Sequence, residues 1–206
     1  MAAIETRQAG RGARFALGRH PDRARPQARS VVKVIAVEHA VDVYLGLGSN
    51  RDPGRHIAAG FRALREAFGE IDASPVYVSP AVGFDGADFL NAAARICTDW
   101  PVGRLKAWLT ALENAHGRDR SQPKFSDRSL DIDILLHGQK VGQFDGLTLP
   151  RDEILEHAHV LKPLADIAPD LRHPVTGRTI AEHWRQFQGD RSLRPVDAEG
   201  GSAPSG

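Results

Sequence analysis

The fold is decided by one stretch of sequence, KFSDRSLDIDILL, which spans Lys124–Leu136. From residue 130 to residue 134, apolar side chains alternate with two aspartates, and this period of two predicts a half-buried β-strand. Asp131 and Asp133 therefore emerge from the same face, with Cα atoms about 7 Å apart. Two carboxylates this close repel each other unless cations lie between them. The pattern thus predicts a cation site on one face of a sheet.

Basic residues crowd the segment just before this strand. Four of them fall within eleven positions: Arg118, Arg120, Lys124 and Arg128. Carboxylates suit a hard cation and neighbouring basic side chains suit an anion, so together they predict a magnesium–phosphate site. The alternative is a strand with a solvated outer face that follows a charged loop.

The segments around this strand predict an alternation of strands and helices. Alternating apolar residues predict a first strand from Val41 to Leu47. Asp52 and Pro53 then predict a helix start, as the capping residue and the first-turn proline. Further strands are predicted over 71–78 and 89–97, a second helix from Pro101 to Gly117, and short helices over 152–156, 161–167 and 179–187. The order βαββαβ predicts an α+β protein with a ferredoxin-like core, an antiparallel sheet with helices on one face, plus C-terminal helices.

Composition bounds the domain organisation and the partners. The chain has 206 residues, of which 41% are hydrophobic and 26% charged, with a net charge of +1. This balance fits a single folded domain and gives no overall field for nucleic acid or membrane surfaces. The lone cysteine, Cys97, excludes a disulfide framework and is expected to be a buried thiol in a reducing compartment, which predicts a cytoplasmic protein. No run approaches the ~18 apolar residues of a membrane span.

The two ends of the chain differ from its middle. Residues 1–40 are predicted to be an arginine-rich, disordered extension, with seven arginines in the first thirty positions. An organelle-targeting presequence and a nucleic-acid arm are the alternatives for this segment. Residues 41–188 form the predicted domain, and residues 189–206 are expected to be a disordered tail.

Several segments together resemble the 6-hydroxymethyl-7,8-dihydropterin pyrophosphokinase family of folate biosynthesis. The matching segments are Leu47-Gly48-Ser49-Asn50, Phe89-Leu90-Asn91-Ala92, Glu113 with Gly117-Arg118-x-Arg120, Arg128-x-Leu130-Asp131-Ile132-Asp133, Leu147-Thr148-Leu149-Pro150 and Pro163–Pro169. The resemblance covers roughly residues 41–174. It implies the ferredoxin-like plan, two Mg²⁺ ions, and transfer of pyrophosphate from ATP to a pterin hydroxymethyl group with release of AMP.

The resemblance also implies roles for particular residues of these segments and of the loops near them. Both metal ions would be held by Asp131 and Asp133, which would be catalytic together with Arg118 and Arg128. The implied ATP-binding residues are Arg118, Arg120, Lys124, Arg128, Ile134, Thr148, Arg151 and His157. The implied pterin-binding residues are Ser79, Pro80, Val82, Phe89, Asn91, Phe125, Asp131 and His159. The expected partners are these small molecules alone, with no nucleic acid and no membrane, for a protein that is expected to be a monomer.

Three positions depart from the pattern of the family. Arg151 stands where histidine is common, His157 where arginine is expected, and His159 where a phenylalanine forms the second pterin platform. The first two departures exchange cation types, and an imidazole at residue 159 is still able to stack.

Three other functions are alternatives to the pyrophosphokinase. A palm-type nucleotidyl transferase or cyclase also places paired aspartates on a ferredoxin-like sheet, but usually on different strands. A paralogue acting on a different pterin would share most of the site, and a non-catalytic pterin- or nucleotide-binding regulator would fit the three departures.

Overall fold

The computed structural model describes residues 39–81, 86–117 and 129–196. Within them, one larger sheet carries helices on both faces. Its strands are β1 (Val41–Ser49), β2 (Asp72–Ala73), β3 (Tyr77–Ser79), β4 (Phe89–Thr98), β5 (Asp131–His137) and β8 (Arg194–Pro195). A separate two-stranded hairpin is formed by β6 (Gly142–Phe144) and β7 (Leu147–Leu149). The helices are α1 (Pro53–Phe68), α2 (Val102–Ala115), α3 (Glu153–Glu156), α4 (Ala158–Ile167) and α5 (Ile180–Gln186).

The sheet has the strand order β5-β1-β4-β3-β8, with β2 also paired to β4. Every pairing is antiparallel. The two longest strands, β1 and β4, lie at the centre, and β5 with its aspartates lies at one edge. This arrangement confirms the predicted βαββαβ core.

Each face of the sheet has its own apolar cluster. The first joins Leu45 and Ile132 to Leu64 of α1 and Leu105 of α2. The second cluster lies on the opposite face, where Tyr44 and Leu136 pack against α3, α4 and α5. The C-terminal helices thus cover the face that was predicted to be free of helices. No helix within the described ranges is long and apolar enough to cross a bilayer.

A β-bulge separates the two clusters along β5. The register shifts between Tyr44 and Leu45, so that Tyr44 pairs with Leu136 and Leu45 with Ile134, leaving Leu135 as the extra residue. Because one residue is inserted, side chains two apart end on opposite faces. The alternation that predicted the strand therefore holds only as far as Ile134.

Two local predictions are corrected by the structure. The strand predicted over 71–78 is divided into β2 and β3, because Pro75 has no N–H to contribute to a ladder. Ser74 keeps the segment attached through its hydroxyl, which accepts from the Ala93 N–H at 2.8 Å. Helix α1 does begin at Pro53, but the side chain of Asp52 makes no capping hydrogen bond and its φ is 43°.

Cys97 is exposed, so the prediction of a buried thiol is wrong. It pairs with Asp42 near the beginning of β1 and lies between Ile96 and Thr98, which are buried on the opposite face of β4. In the part of the C-terminal tail that the structure describes, Arg194 and Pro195 form β8 against β3, and the Val196 N–H donates to the Val76 carbonyl at 2.8 Å.

Candidate active site

A row of residues crosses the sheet on the face opposite α1 and α2. Gly48 of β1 pairs with Asp131 of β5 on one side and with Asn91 of β4 on the other, and Asn91 pairs in turn with Tyr77 of β3. Directly paired residues of antiparallel strands share a face. The Asp131 carboxylate and the Asn91 amide therefore lie on one face of the sheet, separated by Gly48, which has no side chain.

Asp133 lies in the next row, opposite Gly46. Both aspartates are partly exposed, whereas their neighbours Ile132 and Ile134 are 4% and 3% exposed. The side chain of Ile134, predicted to bind ATP, therefore packs in the core and is unable to contact a ligand. Its backbone groups share the outer edge of β5 with those of Ile132, since edge-facing groups repeat every two residues. A contact from Ile134 is thereby restricted to its main chain.

A buried glutamate holds this edge strand in place. Glu113 of α2 is 4% exposed, and its Oε1 accepts from the Ile132 N–H at 2.9 Å. Ile132 lies between the two aspartates, so the bond fixes the backbone that carries both. The resemblance marked Glu113 without giving it a role. The buried positions 102, 105, 109 and 113 follow helical spacing, and a glutamate on such a stripe is the sequence signal of a buried carboxylate with a partner.

Replacing Glu113 with Ala is expected to destabilise the protein by about 1–3 kcal/mol, because the Ile132 N–H loses its acceptor inside the protein. For a domain of this size that free energy corresponds to a Tm lower by roughly 3–10 °C. Thermal unfolding followed by circular dichroism measures the shift. Glu113→Gln keeps an acceptor oxygen and is the matched control, expected to lose less. Equal Tm values for the alanine variant and the unchanged protein would contradict the role.

Arg151 reaches this site from the hairpin. Its Nη2 lies 3.8 Å from Oδ1 of Asp133 and 2.6 Å from Oε1 of Glu153, and its N–H donates to the Leu135 carbonyl at 3.0 Å. Its Nε is buried and has no hydrogen-bond partner among the described residues. The hairpin that delivers it turns at Asp145 and Gly146, whose φ values of 50° and 74° suit a tight two-residue turn. The Asp-Gly pair was a hairpin signal that the sequence analysis did not use.

Asn91 is buried, and its side-chain amide is hydrogen-bonded to Ser79, the last residue of β3. Its Nδ2 donates to the Ser79 Oγ at 2.9 Å. Both residues were predicted to bind the pterin, and the structure brings them together. Phe89 lies two residues earlier on the same face of β4 and is partly exposed.

His157 and His159 lie next to each other at the start of α4. Their rings stack with centroids 5.1 Å apart and an interplanar angle of 12°. Burial, with a smaller effect of His157, lowers the pKa of His159 to about 4. His159 is therefore neutral at physiological pH. Thr148, on β7, is exposed and accepts from Gln143 Nε2 at 2.6 Å.

The lowered pKa of His159 predicts a pH-dependent loss of stability. Below pH 6.5 the unfolded chain protonates this histidine whereas the folded chain does not, so folding becomes less favourable as pH falls from about 6.5 towards 4. Between pH 7 and pH 5 the contribution is about 1–2 kcal/mol. His159→Phe should remove that contribution, which chemical denaturation at the two pH values measures. Identical pH dependence in both proteins would show that His159 titrates normally.

Six predicted site residues lie outside the described residues, namely Val82, Arg118, Arg120, Lys124, Phe125 and Arg128. Among the residues that are described, no group of three or more His, Cys, Asp or Glu side chains is arranged to hold a metal ion. The two aspartates supply two carboxylates, which fits Mg²⁺, an ion that usually binds one or two carboxylates and completes its shell with water and substrate phosphates.

Comparison with known proteins identifies the family. Residues 44–169 match the family described as 7,8-dihydro-6-hydroxymethylpterin-pyrophosphokinase (HPPK). The chain belongs to the HPPK family. This finding confirms the resemblance that was drawn from the motifs.

Individual relatives of the HPPK family show how far the similarity extends. The 2-amino-4-hydroxy-6-hydroxymethyldihydropteridine pyrophosphokinase of Pseudomonas aeruginosa is 39% identical over 146 residues, covering 68% of this chain and 88% of that protein. The protein of the same name from Haemophilus influenzae is 32% identical over 158 residues, which cover 75% of this chain and 98% of that protein. The folic acid synthesis protein fol1 of Pneumocystis carinii is 33% identical over 79% of this chain, which spans only 22% of that longer protein.

Solved structures share the fold at low identity. The HPPK-DHPS of Plasmodium falciparum superposes with a TM-score of 0.54 at 13% identity, covering 72% of this chain and 45% of that one. An HPPK-DHPS solved in complex with substrates gives a TM-score of 0.55 at 12% identity, with 73% and 43% covered. At this level of identity, the likenesses support the fold alone.

Proposed function

We propose that this chain transfers pyrophosphate from ATP to the hydroxymethyl group of 6-hydroxymethyl-7,8-dihydropterin, giving AMP and the pterin diphosphate. The observation that carries the proposal is the row of Asp131, Gly48 and Asn91 in a chain of the HPPK family. Asp131 lies on the phosphate side of this row and Asn91 on the pterin side, with Gly48, which has no side chain, between them. In the reaction the hydroxymethyl oxygen bonds to the β-phosphorus of ATP. The bond from that phosphorus to the α-phosphate oxygen breaks, and the hydroxyl loses its proton.

Asp131 and Asp133 are the proposed ligands of two Mg²⁺ ions. Their shared face, partial exposure and fixed backbone, which Glu113 holds at Ile132, suit a site that opens towards a substrate. Held by these two carboxylates, Mg²⁺ would supply positive charge that stabilises the negative charge developing on the phosphates during transfer. Arg151 lies 3.8 Å from Asp133, so this carboxylate also has a cationic neighbour.

Arg151 is the proposed phosphate-binding residue of the hairpin. Its side chain is 25% exposed, and its Nη2 lies 3.8 Å from Oδ1 of Asp133. A triphosphate oxygen bound there would accept a charge-assisted hydrogen bond from this guanidinium, beside the proposed metal ligands. The remaining basic residues of the predicted phosphate site, Arg118, Arg120, Lys124 and Arg128, stay predictions from the sequence.

The proposed pterin site lies at the other end of the row. Phe89 and His159 are the candidate platforms for the flat ring, and Asn91 with Ser79 and Pro80 its candidate edge partners. The Asn91 side chain is oriented by its bond to Ser79, so its carbonyl oxygen points away from that hydroxyl. Ordered amides of this kind give orientation-specific recognition of a heterocycle.

Incubation with ATP, MgCl₂ and 6-hydroxymethyl-7,8-dihydropterin tests the proposal by nucleotide chromatography. AMP formed in equal amount with the pterin diphosphate is the expected result. Release of pyrophosphate would point to a nucleotidyl transferase or cyclase, and binding of pterin without any AMP would point to a non-catalytic regulator. Stronger turnover of another pterin alcohol would identify a paralogue with a different substrate. Action as a monomer, in the cytoplasm, remains a prediction from the sequence.

A further inference from the structure

A cavity of about 360 Å³ lies beside the proposed pterin site. Residues 79–81 beyond β3 form one wall, and residues 156–159 at the start of α4 form another. The third wall comes from the segment after α5, here named the C-terminal strap and defined as residues 187–196. Four strap residues line the cavity: Phe187, Asp190, Ser192 and Leu193. The strap lies outside residues 44–169, the part that matches the family.

Arg191 holds the first part of the strap against the C-terminal end of α5 through hydrogen bonds. The Nη2 of this residue donates to three carbonyls at the end of α5, those of Trp184, Arg185 and Phe187, at 2.6, 3.1 and 2.8 Å. Its guanidinium also lies 4.7 Å from the centroid of the Trp184 ring. A cation on the last carbonyls of a helix both satisfies them and opposes the negative end of the helix dipole.

The other end of the strap is fastened to the sheet. Strand β8 pairs with β3, with Arg194 opposite Val78 and Pro195 opposite Tyr77. The Nη2 of Arg194 also lies 3.6 Å from Oδ2 of Asp88. Helix α4 is attached to the same strand, since the Tyr77 hydroxyl donates to Oδ2 of Asp166 at 2.7 Å. Strand β3 therefore sets the position of both the strap and α4, which carries His159. The cavity between them has a defined width.

The strap presents a mixed surface to the cavity. Phe187 and Leu193 are partly buried apolar side chains. Asp190 accepts from the hydroxyl and the N–H of Ser192, the latter at 2.8 Å, and these bonds lower the pKa of its carboxyl. Apolar area beside a flat ring, with an ionised acceptor for ring N–H groups, is the surface that a pterin would bury.

We infer that the C-terminal strap is a wall of the pterin pocket in this protein, and that Leu193 helps to determine which pterins it accepts. The inference rests on the proposed function, because Ser79, Pro80 and His159 of the same cavity are the proposed pterin residues. The strap lies on β3's side of the sheet, away from Asp131 and Asp133 on β5, so we expect it to affect binding of the pterin more than binding at the proposed metal ligands.

Leu193→Ala is expected to raise the KM for 6-hydroxymethyl-7,8-dihydropterin roughly three- to thirtyfold, the effect of losing one apolar side-chain contact. The KM for ATP and kcat at saturating pterin should change less than about twofold. Leu193→Trp, which fills the cavity, should weaken the pterin more strongly. Val196→Ala is the matched control, since Val196 is an exposed aliphatic residue of the same strap outside the cavity.

Direct binding of the pterin, followed by its fluorescence without ATP, gives a second readout that does not depend on turnover. Weaker pterin binding in both Leu193 variants, with Val196→Ala unchanged and all Tm values preserved, supports the wall. Unchanged pterin binding in both variants overturns the inference while AMP formation by the unchanged protein still supports the proposed function. A parallel rise in the KM for ATP also overturns it, because the strap would then act on the whole fold. If the unchanged protein forms no AMP, the proposed function fails, and the fluorescence titration alone decides whether the strap contacts the pterin.

Discussion

Replacing Asp133 with Ala is expected to lower kcat/KM by roughly 10²–10⁴, since loss of a metal ligand removes several kcal/mol of transition-state stabilisation. The same loss is expected for Asp131→Ala. Both residues lie on the partly exposed face of β5, where neither side chain packs in the core, so the fold should survive. Steady-state kinetics with a Mg²⁺ titration measures the effect.

Asp99→Ala is the control for these variants. Asp99 is an exposed carboxylate just beyond β4, and its removal changes the net charge equally. Its activity should equal that of the unchanged protein. Near-normal turnover by Asp131→Ala or Asp133→Ala at saturating Mg²⁺ would refute the assignment of these residues as metal ligands.

Replacing Arg151 with Ala should raise the KM for ATP about ten- to hundredfold. A charge-assisted contact to phosphate contributes about 1.5–3 kcal/mol. The effect on the KM for the pterin should be small, because Arg151 lies beside Asp133 and at the opposite end of the sheet from β3. Arg151→Lys keeps the charge but not the forked geometry, and should recover part of the loss.

His157→Ala is the informative comparison for Arg151. Its ring stacks on His159 beside the cavity, and no contact joins it to the aspartates among the described residues. We therefore expect the smaller effect on ATP from this variant. A larger rise in the KM for ATP from His157→Ala than from Arg151→Ala would show that the histidine acts in place of the arginine usual in the family.

Much of the architecture follows from patterns that are local in sequence. The alternation through Asp131 and Asp133, and the apolar stripe of α1, depend only on the period of each element, so they predict which faces become buried. The resemblance placed Ser79 and Asn91 in one site, although it did not give the hydrogen bond that joins their side chains. Periodicity also gave the order of elements, from which the antiparallel sheet follows.

The remaining features depend on contacts between distant residues. The bulge at Leu135 arises from the need of β5 to serve two apolar clusters, and no local pattern marks it. Cys97 lies in an apolar run, but it is exposed between Ile96 and Thr98, which are buried. Residues 189–206 were predicted to be a disordered tail from their Gly- and Ser-rich end, and composition does not reveal the contacts that Arg191 and Arg194, both within residues 189–196, make with the end of α5 and with β3.

The position of β8 also bears on how copies of this protein behave towards each other in concentrated solution. Without it, β3 would present a free row of backbone donors and acceptors, which invites pairing with the edge of another molecule. Strand β8 occupies that row and is only two residues long, and its second residue, Pro195, has no N–H to offer. At the opposite end, Glu113 occupies the outward N–H of Ile132 on β5. Both margins of the sheet are therefore poor templates for strand addition, which protects the folded protein against edge-to-edge aggregation.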